Sequence, residues 1–296
     1  LQIDRLTDCL MNSPANSLTQ IPRDVLTGIA QIMLQPSPLV GLAFLIGSFL
    51  NSPMLALFGV VGCLASTMMA WLCKFPSEER SQGLYGFNGG LIGLGVGYFY
   101  AVSLPLLVPV VLGAMVSSLV MYKMMQIGLR PFTFPFVIVT WVIMLILSVT
   151  GLASISGWSK PNPTSVDVLE SLSRGYVQVL FQENILTGLI FIGAILIRDW
   201  VQGLYASMAT VMGLLCGYLA GFPIDAVNLG LFGYSAVLCG ILFAGRTGRD
   251  FINAVIAILL SIAIVRLFHM AGIPPFTFPF VLASWVVLWG CSKFQS

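Results

Sequence analysis

Charge is what this chain has least of. Only 8% of its 296 residues are Asp, Glu, Lys or Arg, against about 25% in soluble domains. Histidine occurs once, as His269. The six cysteines are scattered without a C-x-x-C pair. Cys63, Cys73, Cys216, Cys239 and Cys291 fall in or beside apolar runs, where small packing residues are expected. No phosphate loop, His-Glu metal motif or Gly-x-Ser-x-Gly elbow occurs. The Gly89-Gly90-x-x-Gly93-x-Gly95-x-Gly97 run lies inside an apolar segment, where glycines let helices pack closely. These absences argue against an enzyme and lead us to expect no metal and no cofactor. A net charge of +2 leaves no footprint for nucleic acid. The first residues, Leu1 to Asn12, carry Asp4, Arg5 and Asp8, so no cleavable leader is expected.

Apolar residues fill the space that charge vacates, at 58% of the chain. A soluble core of this size could not hide so much apolar surface, so the solvent must be lipid. Alternating ten-residue strands of the barrel type are absent, and an all-α polytopic membrane protein is expected. Residues 1–14 read as an N-terminal interfacial segment, 15–152 as a first membrane repeat, 153–173 as a polar linker and 174–296 as a second repeat. The run 15–35 contains Pro22, Arg23 and Asp24 and is too polar for a clear span. It ends in Gln35-Pro36-Ser37-Pro38, which must break a helix. Clearer spans follow at about 38–50, 53–73, 87–102, 104–122 and 132–152, and again at about 185–197, 200–220, 234–245, 251–268 and 277–292.

The halves are homologous. Phe132-Thr133-Phe134-Pro135-Phe136-Val137 recurs as Phe276-Thr277-Phe278-Pro279-Phe280-Val281, 144 residues on, and Trp141 and Trp285 follow the two copies. Gln31 to Gln35 aligns with Gln178 to Gln182, and Gly83 to Asn88 with Gly230 to Ser235, both at an offset of 147. The expected architecture is ten transmembrane helices plus two half-spanning pore helices. Five spans per half is an odd number, so the halves should be inverted relative to one another. That count puts Arg5, Arg23, Lys74, Arg80, Lys123, Arg130, Arg198, Arg246, Arg249 and Lys293 on one side. Lys160, Arg174 and Arg266 fall on the other. The bias predicts that both termini are cytoplasmic, in a plasma or inner membrane.

A pore should then run between the halves, near the broken helices at 31–38 and 178–185. Its repeated polar groups are neutral. Gln31 and Gln178 stand at the breaks, and Thr133 and Thr277 open two apolar helices. Phe87, Phe181 and Tyr234, with Leu34, stand at repeat-related places as the walls of two slots. Such a pore offers oxygen acceptors at one edge and flat apolar faces on either side. It suits a small, planar, neutral solute rich in N–H donors, because an unpaired buried amide costs roughly 2–7 kcal/mol. Urea has these properties. A bare ion does not, since desolvating a charge costs far more. An ion-coupled secondary transporter of a small neutral solute is the alternative, with Glu183 as its best titratable candidate.

These motifs resemble the urea transporter family, which carries a doubled Leu-Pro-x-x-Thr-x-Pro-Phe signature. The second copy here reads Ile273-Pro274-x-x-Thr277-x-Pro279-Phe280, and the first Leu129-Arg130-x-x-Thr133-x-Pro135-Phe136. Gln178-Val179-Leu180-Phe181 is similar to the family's Gln-Val-x-Phe, Gln31-Ile32-Met33-Leu34 less so, and Glu183-Asn184 looks like its Asp-Asn. The resemblance implies passive, channel-like diffusion of urea, with small amide analogues as further solutes, and a homotrimer in lipid with one pore per subunit. It also implies that Thr133 and Thr277 bracket the constriction and that Gln31 and Gln178 contribute to oxygen rows flanked by the slots. The chain departs from the family at Leu34, at Arg130 and at Pro36-Ser37.

Overall fold

The structure, a computed structural model, describes residues 14–155, 163 and 165–293. Most of the expected interfacial segment, 1–13, lies outside the described residues. Seven helices form the first half: α1 (Pro14–Gln31), α2 (Pro38–Asn51), α3 (Pro53–Leu72), α4 (Ser77–Ser81), α5 (Phe87–Phe99), α6 (Leu107–Gln126) and α7 (Phe134–Thr150). The second half holds α8 (Val168–Val177), α9 (Ile185–Arg198), α10 (Trp200–Leu219), α11 (Ile224–Asn228), α12 (Tyr234–Phe243), α13 (Gly248–Met270) and α14 (Phe278–Lys293). Among the described residues there is no strand, only the isolated bridge between Tyr100 and Ile155.

The first residues of α2 to α5 recur 147 positions later in α9 to α12, and that of α7 recurs 144 positions later in α14. The missing three residues fall at the shorter α12–α13 connection. Caps recur as well. Ser52 ends α2 and caps α3 by accepting the Leu55 N–H. Its repeat mate Asp199 ends α9 and caps α10 by accepting the Val201 and Gln202 N–H groups. Each cap satisfies donors that a helix start leaves free.

The structure departs from the sequence reading in two places. α8 begins at Val168, inside the stretch read as linker 153–173. Its polar residues disguised a helix that is capped by Asp167, which accepts the Glu170 N–H, and that buries Ser171, Ser173 and Tyr176. α1 is continuous over 18 residues although Pro22 lies within it. Helix lengths are also uneven. Among the described residues three helical stretches, Pro53–Leu72, Leu104–Gln126 and Gly248–Met270, are long and apolar enough to cross a bilayer unaided. A fourth candidate is the pair Val168–Leu180 and Ile185–Arg198, bent by 75°. Other apolar helices, such as Pro38–Asn51, Phe134–Thr150 and Tyr234–Phe243, are shorter.

Glycine lets the core close. A Cβ on Gly62 of α3 would run into the Gly89 carbonyl of α5, and one on Gly93 of α5 into the Phe58 carbonyl of α3. The two backbones touch, so no side-chain motion could make room. Gly62→Val and Gly93→Val should each abolish monodisperse protein on size-exclusion chromatography. Gly193→Val in α9, where an added Cβ meets nothing within 4 Å, should not. Normal elution of either core variant would contradict this packing.

Candidate functional site

Both broken helices end alike. After α1, the Leu34 N–H donates to the Gln31 carbonyl and the Gln35 N–H to the Ala30 carbonyl. After the 3-10 turn Gln178–Leu180 that extends α8, Phe181 bonds to Gln178 and Gln182 to Val177 in the same pattern. This termination needs a left-handed residue, usually glycine. Here Leu34 and Phe181 supply it, both at φ 57°. Five non-glycine residues have positive φ among the described residues: Leu34, Lys74, Phe132, Phe181 and Phe276. All but Lys74 belong to the broken helices or to the duplicated Phe-Thr-Phe stretches. Backbone strain of this kind persists only where the surroundings over-determine it, and it gathers at functional sites.

The duplicated stretches meet. The Thr277 and Thr133 hydroxyls share a 2.6 Å hydrogen bond, and both residues are buried. Around them the contacts exchange when 144 is added to one partner's number and subtracted from the other's. Phe132 packs on Phe280 and Phe136 on Phe276, both at 5.3 Å between ring centroids. Phe134 packs on Trp285 and Trp141 on Phe278, at 5.5 and 5.7 Å. Trp141 Nε1 donates to the Pro274 carbonyl at 3.0 Å, and Trp285 Nε1 to the Arg130 carbonyl at 2.8 Å. Reciprocity of this kind is the mark of an isologous, two-fold contact. Phe44 of α2 packs on its own repeat mate, Phe191 of α9, with ring centroids 4.3 Å apart and planes tilted by 35°.

On one side of the threonine pair opens a cavity of about 590 Å³, lined among others by Gln178, Phe181, Tyr234, Phe276, Thr277 and Tyr98. Four of the residues singled out from sequence thus share one wall. Phe181 projects onto first-half side chains. Its ring lies 5.4 Å from Tyr98, 6.1 Å from Phe99 and 6.3 Å from Phe136. Tyr234 is buried, and its hydroxyl donates to the Phe276 carbonyl at 2.7 Å. Glu183 lies at the end of the same broken helix. Its Oε1 accepts from the Tyr98 hydroxyl at 2.9 Å, and its carbonyl accepts from Arg174 Nε. Asn51 of α2 accepts the N–H groups of Glu183 and Asn184, which ties this break to the other half. Gln31, Leu34 and Phe87 hold the repeat-related positions of the first half, with Phe87 buried and Leu34 half-buried. The amide oxygens of Gln31 and Gln178 are both buried, and neither has a partner within the protein. A larger groove of about 640 Å³ between α6 and α7 is lined by aliphatic residues such as Leu112, Val116 and Ile143, which give a polar solute little to bond.

Sequence reasoning gave no role to Asn88, Tyr98, Asn51 or the two tryptophans. Asn88 is fully buried at the start of α5. Its Nδ2 donates to the Phe132 carbonyl, and its Oδ1 accepts the Phe136 N–H at 3.1 Å. In the second half Ser235 stands at this position with its hydroxyl unpartnered, and the neighbouring Tyr234 holds the corresponding Phe276 carbonyl. The aligned Phe87-Asn88 and Tyr234-Ser235 pairs carried that signal, but one-half use of each residue hides it from a search for matched polar groups.

The family model described as urea transporter matches residues 23–291. Urea transporter 1 of Ovis aries and that of Capra hircus are each 26% identical over 292 residues, an alignment that covers 89% of this chain and 75% of theirs. Urea transporter 1 of Mus musculus is 25% identical with the same coverage. The match takes in both helix breaks and both Phe-Thr-Phe stretches, and the chain belongs to the urea transporter family.

Proposed function

We propose that the chain conducts urea passively across a membrane, down its gradient, through a narrow pore along the interface of its two halves. The observation that carries this reading is the cavity lined by Gln178, Phe181, Tyr234 and Thr277, which reaches the Thr133–Thr277 pair and lies beside the buried, unpartnered Gln178 amide oxygen. A buried acceptor without a donor costs free energy, and an amide N–H arriving there repays that cost. Gln31, with the same unpartnered oxygen, would serve solute leaving on the far side, and the threonine hydroxyls would serve it in between. Charge desolvation keeps ions out, and no metal or cofactor takes part. Ten crossings and two half-spanning helices, related by a two-fold axis in the membrane plane, agree with the reciprocal contacts and the repeated helix starts. The basic residues Lys74, Arg80, Lys123, Arg246 and Arg249 would face the cytoplasm of a plasma or inner membrane. The resemblance adds a homotrimer embedded in lipid.

The two slots should bind unequally. Phe181 gives a solute a flat aromatic wall, and Leu34 gives a smaller, flexible one. Aromatic contact contributes about 0.5–1.5 kcal/mol beyond burial, worth a few-fold to tenfold in occupancy. Urea soaked into wild-type protein should therefore fill the Gln178 slot before the Gln31 slot. Leu34→Phe should raise density at the latter, and Phe181→Leu should lower it at the former. Absence of solute density beside Gln178 at saturating urea would contradict the proposed path.

A further inference from the structure

We infer that Trp141 and Trp285 are positioning residues that set the width and selectivity of the threonine constriction from across the interface. The inference rests on the channel reading above. Each Phe-Thr-Phe loop is strained, with Phe132 at φ 50° and Phe276 at φ 46°, and each is gripped twice. One grip comes from the loop's own half and differs between halves, with Asn88 holding the Phe132 carbonyl and Tyr234 the Phe276 carbonyl. The other comes from the opposite half and uses the same donor and acceptor in both, part-buried at Trp141 and exposed at Trp285. Trp285 Nε1 holds the Arg130 carbonyl and Trp141 Nε1 the Pro274 carbonyl, each three residues before a constriction threonine.

The cross-half grip is the one that fixes separation. A bond within one half carries its threonine along if the halves shift, whereas the tryptophan bonds tie each loop to the helix that follows the other loop. Indole has a single donor and only two side-chain torsions, so it specifies position with little slack. Each indole is also braced, Trp141 by Phe278 and by Phe268 stacked at 6.1 Å, and Trp285 by Phe134. Loss of either N–H should release the Arg130 or Pro274 carbonyl and let the two hydroxyls drift from their 2.6 Å contact. A looser constriction admits bulkier amides.

The test is stopped-flow permeability of urea and of N,N′-dimethylurea in proteoliposomes, read as a ratio. Phenylalanine keeps the ring and removes the donor. Trp141→Phe should lower the urea-to-dimethylurea ratio by about threefold or more, Trp285→Phe should lower it by less because its bond is exposed and water can replace the donor, and the double variant should lower it further. Trp200→Phe, at an exposed position, should leave the ratio unchanged. If the wild type conducts no urea above protein-free vesicles, the channel reading fails. If the wild type conducts and both single variants keep its ratio, or if either single variant fails to reconstitute as folded protein, the positioning role is overturned and the channel reading stands.

Discussion

Thr133→Val combined with Thr277→Val should lower urea permeability by at least about tenfold while leaving thermal stability nearly unchanged. The two hydroxyls bond only to each other at 2.6 Å in a buried setting. A hydroxyl both donates and accepts, so a solute displacing this bond finds replacement partners on either side. Valine keeps the shape and offers nothing. An amide group passing such a point unpaired costs roughly 2–7 kcal/mol, and only about 1.4 kcal/mol at the barrier is tenfold in rate. Removing both partners together strands no polar group, so stability should hold. Either single valine leaves one buried hydroxyl unpaired and should be less stable than the double variant. Stopped-flow flux and thermal unfolding in detergent read the two halves of this expectation. Near-wild-type flux through the double variant would move the solute path away from the threonines.

Asn88→Leu should produce the larger loss of stability. Asn88 holds the Phe132 carbonyl and the Phe136 N–H at once, and a leucine strands both. Each buried orphan costs about 1–3 kcal/mol, and the α7 helix loses a cap close to Thr133. Tyr234→Phe strands only the Phe276 carbonyl and should cost less than Asn88→Leu. Thermal unfolding in detergent should therefore rank wild type above Tyr234→Phe, and Tyr234→Phe above Asn88→Leu. A reversed order would mean that the two halves do not grip their loops as the hydrogen bonds indicate.

Much of the candidate site's layout was legible in the sequence because the chain says it twice. The duplicated Phe-Thr-Phe stretches and the Gln-x-x-x-Gln breaks announced the halves, and the helix starts at Pro38, Pro53, Phe134 and Ile185 fell close to the apolar runs read from composition. Repetition is also what hid the rest. Asn88 and Tyr234 do the same work from adjacent, non-equivalent positions, so no alignment of polar groups pairs them. Tyr98 meets Glu183 across the interface, and its repeat-related position, Gly245, carries no side chain. α8 was read partly as linker because periodicity of apolar residues is a poor guide where a helix buries Ser171 and Ser173. The tryptophans followed the motif in plain view, but a bond to the other half's backbone is a property of the fold alone.

The central claim is passive conduction of urea. Its most direct test is urea flux into proteoliposomes of the wild-type chain, measured with no ion gradient and then with an imposed proton or sodium gradient. The account predicts downhill flux well above protein-free vesicles, equal in both directions and indifferent to either gradient. Uphill accumulation of urea driven by a proton or sodium gradient would contradict it.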